Sequence, residues 1–229
     1  MKRVDWRALR GELDDDGVAR VPALLDAASC ETLRRLYADT GRFRSRVIMQ
    51  RHHYGRGEYR YFGDPLPDVV QALREAAYPP LAVVANAWAE ALGESHRYPP
   101  THADYLERCR AVGQTRPTPL LLRYGAGDYN CLHQDLYGEQ VFPLQIVILL
   151  SEPGRDFEGG EFVLVEQRPR MQSRVRVVRL QQGDAAVFAV NRRPVAGARG
   201  AYRVAMRHGV SRIESGERFA LGVIFHDAA

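Results

Sequence analysis

Apolar positions recur along this chain in two registers, and the register changes near Pro117. Before that point the spacing is mostly helical. Residues 5–13 and 29–38 read as short amphipathic helices, the second with Leu33, Leu36 and Tyr37 on one face, while Gly17-Val18-Ala19-Arg20-Val21 between them alternates as a strand does. Residues 67–77 bring Val69, Val70, Leu73, Ala76 and Ala77 into phase. Residues 81–92 do the same with Leu81, Val84, Ala85, Trp88, Ala91 and Leu92, and stop at Gly93. Pro79-Pro80 predicts a break between these two helices, since proline lacks the helical N–H donor. A further helix is expected over 101–111. Residues 44–63 are polar, aromatic and punctuated by Gly55, Gly57 and Gly63, which predicts two short strands with a mobile turn between them.

After Thr115-Arg116-Pro117 the pattern becomes that of short strands, at 118–124, 130–135, 142–151, 161–166, 173–180, 185–190, 202–210 and 218–226. Eight strands with no helix among them fit two sheets around a ligand cavity. The expected fold class is therefore α+β, with a double-stranded β-helix core (a jelly roll, cupin-like) over 117–227 and mainly helical support over 1–116. The whole of 1–229 is read as one domain.

Composition narrows the setting. Three widely spaced cysteines, Cys30, Cys109 and Cys131, argue against a disulfide framework and for a reducing interior. Met1-Lys2-Arg3 runs into Asp5 and Trp6 with no apolar leader region. The longest apolar run, 141–150, contains Pro143 and Gln145 and is too short to span a bilayer. A cytoplasmic protein that does not enter a membrane is expected. The net charge of +4 is uneven: 168–212 holds eleven Arg and one acid, Asp184, or +10, which leaves −6 for the rest. Such a segment attracts polyanions or merely solvates an outer sheet face, and the dominance of Arg over the single Lys2 fits a compositional bias as well.

Candidate chemistry centres on His133-Gln134-Asp135. In an extended chain residues i and i+2 share a face, so an imidazole and a carboxylate would enter one cavity, where one more His would complete a facial triad for iron(II). The motif alone is weak, because composition yields about 0.4 chance matches. A second copy, His102-Ala103-Asp104, follows Thr101 in what reads as a helix-opening capping box. Residues i and i+2 on a helix do not face each other, so this pair is read as chance. His52-His53, adjacent in a turn, would point to opposite faces and suits a loop or lid. His208 lies on an apolar face with Val204, Met206 and Val210, which by itself describes an ordinary core histidine. Ten residues on, Arg218 shares a strand face with Ala220 and Gly222, small residues that leave room for a carboxylate to meet the guanidinium.

His133-x-Asp135, His208 and Arg218 together resemble the 2-oxoglutarate- and iron(II)-dependent oxygenases, with a His-to-Arg spacing like that of the prolyl-4-hydroxylase-like branch. Tyr124 and the Gly turn after it, Glu158-Gly159-Gly160-Glu161-Phe162, Gln182-Gly183-Asp184 and Arg207-His208-Gly209-Val210 carry the likeness further. Leu132-His133-Gln134-Asp135-Leu136-Tyr137-Gly138 and Glu166-Gln167-Arg168-Pro169-Arg170 look like a bacterial family labelled as oxygenases demethylating damaged nucleic acid. The resemblance implies Fe(II) held by His133, Asp135 and His208, with no catalytic residue beyond these ligands. It also implies 2-oxoglutarate and O2 as co-substrates, Arg218 on the distal carboxylate, and Tyr124 as its hydrogen-bond partner. The implied reaction hydroxylates a C–H bond and releases succinate and CO2. The substrate would be a methylated nucleic acid or nucleotide, met by Tyr59 and Tyr61 of the aromatic turn and by Arg168 of the basic segment.

One departure counts against that substrate. Arg212-x5-Arg218 imitates an Arg pair of the characterised nucleic-acid demethylases, but there the pair lies further beyond the distal His. A hydroxylase of a peptide or small metabolite is the alternative enzyme. A non-catalytic jelly-roll ligand-binding module is the alternative class, against which the complete triad and Arg218 argue.

Overall fold

The computed structural model describes residues 4–198 and 200–229. Met1-Lys2-Arg3, read above for a leader, and Arg199, one of the basic segment's arginines, lie outside the described residues. The first half of the chain contains α1 (Arg10–Asp16), β1 (Val18–Val21), α2 (Ala27–Leu36), β2 (Phe43–Ile48), β3 (Gly55–Arg56), β4 (Glu58–Phe62), α3 (Asp68–Ala91) and α4 (His102–Ala111). The second half is built of β5 (Leu120–Tyr124), β6 (Tyr129–His133), β7 (Leu144–Leu149), β8 (Phe157–Gly159), β9 (Phe162–Gln167), β10 (Arg174–Val178), β11 (Ala185–Ala189), β12 (Arg192–Gly197), β13 (Gly200–Val210), β14 (Ile213–Gly216) and β15 (Arg218–Val223).

Every expected strand of the second half is present, shifted or trimmed by a few residues. Three short ones, β8, β12 and β14, were not expected. Two of them, β8 and β14, form a two-stranded sheet of their own, and β12 adds to β13 outside the main strand order. Local alternation has little to mark in segments so short or so marginal.

The first helix forms over Arg10–Asp16 instead of 5–13. Gly17, at φ +70°, ends it by donating its N–H to the Leu13 carbonyl. Buried Arg193 then covers the helix end, donating to the Asp14 and Asp15 carbonyls at 2.8 and 2.9 Å. The Pro79-Pro80 break does not occur, since α3 runs unbroken through both prolines. Interior prolines cost a helix about 3 kcal/mol each. Against that, Ala77, Tyr78, Leu81, Ala82, Val84, Ala85 and Trp88 are all buried on both sides of the pair. The Tyr78 ring packs on Tyr105 and Phe142 at 5.4 and 4.9 Å. Packing on the core thus holds both halves in one helix. Thr101 caps α4, accepting from the Asp104 N–H, so the second His-x-Asp does begin a helix.

A seven-stranded sheet runs β1-β11-β7-β15-β5-β4-β2, and a second runs β10-β9-β13-β6-β3; every pairing of named strands is antiparallel. The sheets face each other, with Phe162 of β9 and Phe188 of β11 in edge contact at 4.9 Å. The aromatic stretch is not a free turn. Its Gly55 and Arg56 pair with β6 in the second sheet, while β4 joins the first. At Gly55, φ is +122° and a Cβ would stand 2.4 Å from the Tyr129 carbonyl oxygen, so only glycine allows this crossing. Among the described residues no helix is long and apolar enough to cross a membrane.

Two buried histidines, His102 of α4 and His226 just after β15, predict acid sensitivity. His102 makes a 2.8 Å contact with the Phe225 carbonyl; burial, then the nearby Arg74 charge, push its pKa down to about 3. Burial likewise pushes His226 down to about 4. Unfolding lets both return to about 6.5, so the unfolded chain binds more protons below that pH. Stability should be full above about pH 6.5 and fall as pH drops toward 4, by about 1.4 kcal/mol per unit for each histidine. Urea unfolding measured from pH 7.5 to 4.5 checks this. His102→Gln should flatten the slope, and an unchanged slope in both His102→Gln and His226→Gln would rule the histidines out.

Candidate active site

β6 and β13 lie side by side in the second sheet, and their register places His133 opposite His208. The rings stand 4.2 Å apart, centroid to centroid. β6 ends at His133, so Asp135 lies in the loop beyond it instead of on the expected strand. The chain there nonetheless returns the carboxylate to the imidazoles. Asp135 Oδ1 is 3.4 Å from His133 Nε2, and Oδ2 is 3.3 Å from His208 Nε2. One ligand atom from each of the three residues lies within 4.8 Å of the others.

Charge and hydrogen bonding prepare this cluster for a cation. Burial alone would raise the Asp135 pKa, but hydrogen bonds and charge from the two histidines hold it well below the carboxylate range. Burial alone would lower His133, and the Asp135 carboxylate outweighs it, so the net shift is upward. His208 is shifted down, by burial first and then by repulsion from His133. His133 Nδ1 meets the Cys131 carbonyl at 2.8 Å, a contact that fixes the ring and turns Nε2, the nitrogen facing Asp135, toward the cluster, where a metal would displace its proton. The donor set of two imidazole nitrogens and one buried carboxylate suits a divalent transition metal of the iron(II) kind.

Two further residues, not anticipated from sequence, hold the carboxylate. Tyr137 donates its hydroxyl to Oδ1 at 2.7 Å and Gln145 donates its amide to Oδ2 at 2.8 Å. Both left a signal. Tyr137 is two residues past Asp135, on the same side of an extended chain, and Gln145 is a polar residue inside an apolar run, where burial demands a partner.

The cavity holding this cluster measures about 290 Å³ and reaches across to the first sheet. Arg218 of β15 lines it, paired in register with Tyr124 of β5. Only 2% of Arg218 is exposed, its Nε has no hydrogen-bond partner, and among the described residues it forms no ion pair. Burial pulls its pKa down, partly offset by Tyr124 and Glu161. Its guanidinium lies 5.6 Å from the Tyr124 ring centre, and the Tyr124 hydroxyl meets the Asn130 amide at 3.4 Å. Ala220 and Gly222 line the same wall, and a Cβ on Gly222 would come within 2.7 Å of Leu120. A buried, unpaired guanidinium is costly unless an anion arrives to meet it.

The three residues expected to meet the substrate fare differently. Tyr59 lines the cavity. Tyr61 does not: it sits one ring behind the wall, edge-on to Tyr137 at 6.1 Å with the Arg44 guanidinium 4.5 Å from its centre. Both tyrosines face one side of β4, but only the first reaches the cavity. Arg168 also lies outside the cavity, bonded to Glu166 at 2.6 Å beside a neighbouring groove. The exposed cavity residue that sequence reasoning passed over is Leu136, which lines it together with half-exposed Tyr54. His52 and His53 are exposed and line no part of the cavity, with His52 stacked on Tyr54 at 5.4 Å.

Tyr137→Phe and Gln145→Leu each free one carboxylate oxygen to turn. Loss of such supporting contacts typically weakens metal binding about 10–100-fold. Anaerobic titration with manganese(II), alongside circular dichroism to verify folding, should find that loss in each variant. Wild-type affinity in both would mean that neither group orients Asp135.

Comparison with known proteins agrees with this geometry. Residues 57–228 match the family model described as "Oxygenase, catalysing oxidative methylation of damaged DNA". The uncharacterized protein Rv2227 of Mycobacterium tuberculosis strain H37Rv is 47% identical over 203 residues, which is 89% of this chain and 84% of that one. Among solved structures, a Pseudomonas putida prolyl-4-hydroxylase aligns with a TM-score of 0.58 at 15% identity, covering 98% of this chain and 99% of its own. A 2-oxoglutarate–Fe(II) oxygenase family oxidoreductase from Burkholderia pseudomallei aligns at 0.54 with 19% identity, covering 100% and 95%. The α-ketoglutarate-dependent epimerase SnoN aligns at 0.56 with 15% identity, covering 95% and 80%. These last three likenesses are of fold, and they span more than one reaction. By its match over three quarters of its length, the chain belongs to the nucleic-acid oxygenase family, an oxidoreductase on the fold of the 2-oxoglutarate- and iron(II)-dependent oxygenases.

Proposed function

We propose that the protein is a 2-oxoglutarate- and iron(II)-dependent dioxygenase that hydroxylates N-methyl groups of damaged nucleic acid. The observation that carries the cofactor half is the cavity with two unlike ends, a His133–Asp135–His208 cluster at one and unpaired Arg218 at the other. A dicarboxylate that chelates a metal through its keto-acid end and keeps a free carboxylate at the far end answers both. On this reading the two facing antiparallel sheets are a double-stranded β-helix, 1–229 is one catalytic domain, and three free thiols suit a reducing, cytoplasmic setting.

The residues take simple roles. His133, Asp135 and His208 hold the metal; Tyr137 and Gln145 keep the carboxylate turned toward it. Arg218 receives the distal carboxylate of 2-oxoglutarate, with Tyr124, a neutral phenol whose pKa burial pushes up to about 12, beside it. Phe162 and Phe188 pack around His208 at 6.1 and 4.7 Å and keep water from that side. The bound iron and co-substrate supply the oxidation: one atom of O2 enters the substrate C–H bond, the other enters succinate, and CO2 leaves.

On an N-methyl group this insertion gives N–CH2OH, whose C–N bond breaks to release formaldehyde and restore N–H. Oxidation therefore removes a methyl group, and we read the family's description in that sense. Tyr54, Leu136 and Tyr59 offer apolar and aromatic surface at the mouth for a base turned out of its stack. The prolyl-4-hydroxylase likeness is one of fold and lends a peptide substrate no support of its own.

Two outcomes are expected. Arg218→Ala should weaken 2-oxoglutarate binding by hundreds-fold, the effect of about 3–5 kcal/mol for breaking a buried charge pair, while leaving manganese(II) affinity near wild type. Equal 2-oxoglutarate affinity in the variant would remove Arg218 from this role. Incubation with 2-oxoglutarate, iron(II) and N-methylated single-stranded oligonucleotides should yield formaldehyde and succinate in equal amounts. Formaldehyde absent across N1- and N3-methylated bases, with succinate formed on peptides or metabolites instead, would overturn the substrate.

A further inference from the structure

Beside the mouth of the iron cavity lies a second, more open groove of about 540 Å³. Arg168, Arg170, Arg192 and Arg203 line it, and so does Gln134, which also lines the iron cavity. Gln134 is therefore the shared wall between the two. Its amide donates to the Asn191 carbonyl at 3.0 Å and the Met206 carbonyl at 2.8 Å, so the wall is fixed.

The charges along this groove are only partly neutralised. Glu94 pairs with both Arg203, at 2.7 Å, and Arg192, at 3.5 Å. Glu166 is shared in the same way between Arg168, at 2.6 Å, and buried Arg193, at 2.5 Å. Arg170, exposed at the turn after β9, forms no ion pair among the described residues. The four arginines that line the groove face two carboxylates, one of them shared with buried Arg193, which leaves at least two positive charges along it. Sharing a carboxylate orients the forks of Arg168, Arg192 and Arg203 while leaving them partly exposed along the groove, whereas Arg193 is buried and turned to the end of α1. Pairs with an exposed arginine, as Arg192 and Arg203 form with Glu94, contribute about 0–1 kcal/mol, so an incoming phosphate competes with them readily.

We propose that this groove is the track for the sugar–phosphate backbone of a single nucleic-acid strand whose neighbouring nucleotide occupies the iron cavity. The proposal rests on the nucleic-acid reading above and adds the surface that would carry it. A planar arginine fork matches a phosphate with two parallel hydrogen bonds, and a row of such forks follows a strand without reading its sequence. Continuity through Gln134 gives the backbone a path from the groove to the mouth. Arg168 thus acts on the strand beside the reacting base, not on the base itself.

The test uses the whole protein and a fluorescent unmethylated oligothymidylate, so that binding is measured apart from turnover. Anisotropy titrations over a range of salt give the slope of log affinity against log salt, about −0.7 per phosphate contact for a single strand. Arg168→Gln/Arg170→Gln/Arg203→Gln should lower the steepness by about 2 and weaken binding at low salt by more than ten-fold. Arg170→Gln alone, the change least able to disturb folding, should lower it by about 0.7. Arg7→Gln/Arg35→Gln/Arg110→Gln, an equal charge loss on exposed sites elsewhere, should leave the slope nearly unchanged. If wild type binds the strand and the groove variant keeps its slope, the track is elsewhere and the proposal falls while the substrate reading stands. Equal losses in the control variant, or displacement of the strand by polyglutamate at equal charge, also overturn it, since either means unspecific charge attraction. No binding by wild type at low salt would sink the nucleic-acid reading itself.

Discussion

The structure turns on one buried carboxylate. Asp135 is 8% exposed, stands between two imidazoles, and accepts hydrogen bonds on both oxygens from Tyr137 and Gln145. Burying such a group is favourable only if every lone pair is answered, and here each answer comes from a different element. His133 ends β6, His208 lies opposite it on β13, Gln145 rises from β7 in the facing sheet, and Tyr137 follows in the same loop. The pairing of β6 with β13 within one sheet is thus what brings the ligands together, and the facing sheet adds Gln145 to hold the carboxylate.

Arg218 is the complementary constraint. It is more deeply buried than Asp135 but forms no ion pair among the described residues, and the walls beside it include the small residues Ala220 and Gly222. A fold that hides an unpaired guanidinium spends stability on it, and the return comes when a ligand supplies the missing charge. A cation-seeking cluster and an anion-seeking arginine in one cavity define a bound molecule that is anionic at both ends and chelating at one. The neighbouring basic groove extends the same logic to the surface, where charge is left uncompensated beside the mouth.

Much of this was legible in the sequence. The clustering of His133, Asp135 and His208 and the inward place of Arg218 were foreshadowed by the spacing of the four residues taken together, although Asp135 reaches the cluster from a loop and not from the strand that a period of two implied. Helices and long strands were legible from periodicity to within a few residues. What failed did so for tertiary reasons. Pro79-Pro80 is an expected breaker, yet burial of Tyr78, Leu81 and Trp88 keeps α3 whole. Tyr61 shares a face with Tyr59 but ends behind Tyr137, because alternation gives the side of a strand and not the depth of a cavity. Arg168 sits beside the site instead of in it, and no one-dimensional count of charge could place it there.

The central claim is that one cavity binds iron(II) and 2-oxoglutarate together, the first at His133, Asp135 and His208 and the second between the metal and Arg218. Two ligands that touch must change each other's affinity by the same factor. Anaerobic calorimetry of 2-oxoglutarate binding, with and without one equivalent of iron(II), measures that factor directly. The account predicts one iron per chain, 2-oxoglutarate bound at least ten-fold more tightly in its presence, the same enhancement for iron when 2-oxoglutarate is added first, and loss of the coupling in Asp135→Ala. Equal 2-oxoglutarate affinity with and without iron in the wild-type protein would contradict it.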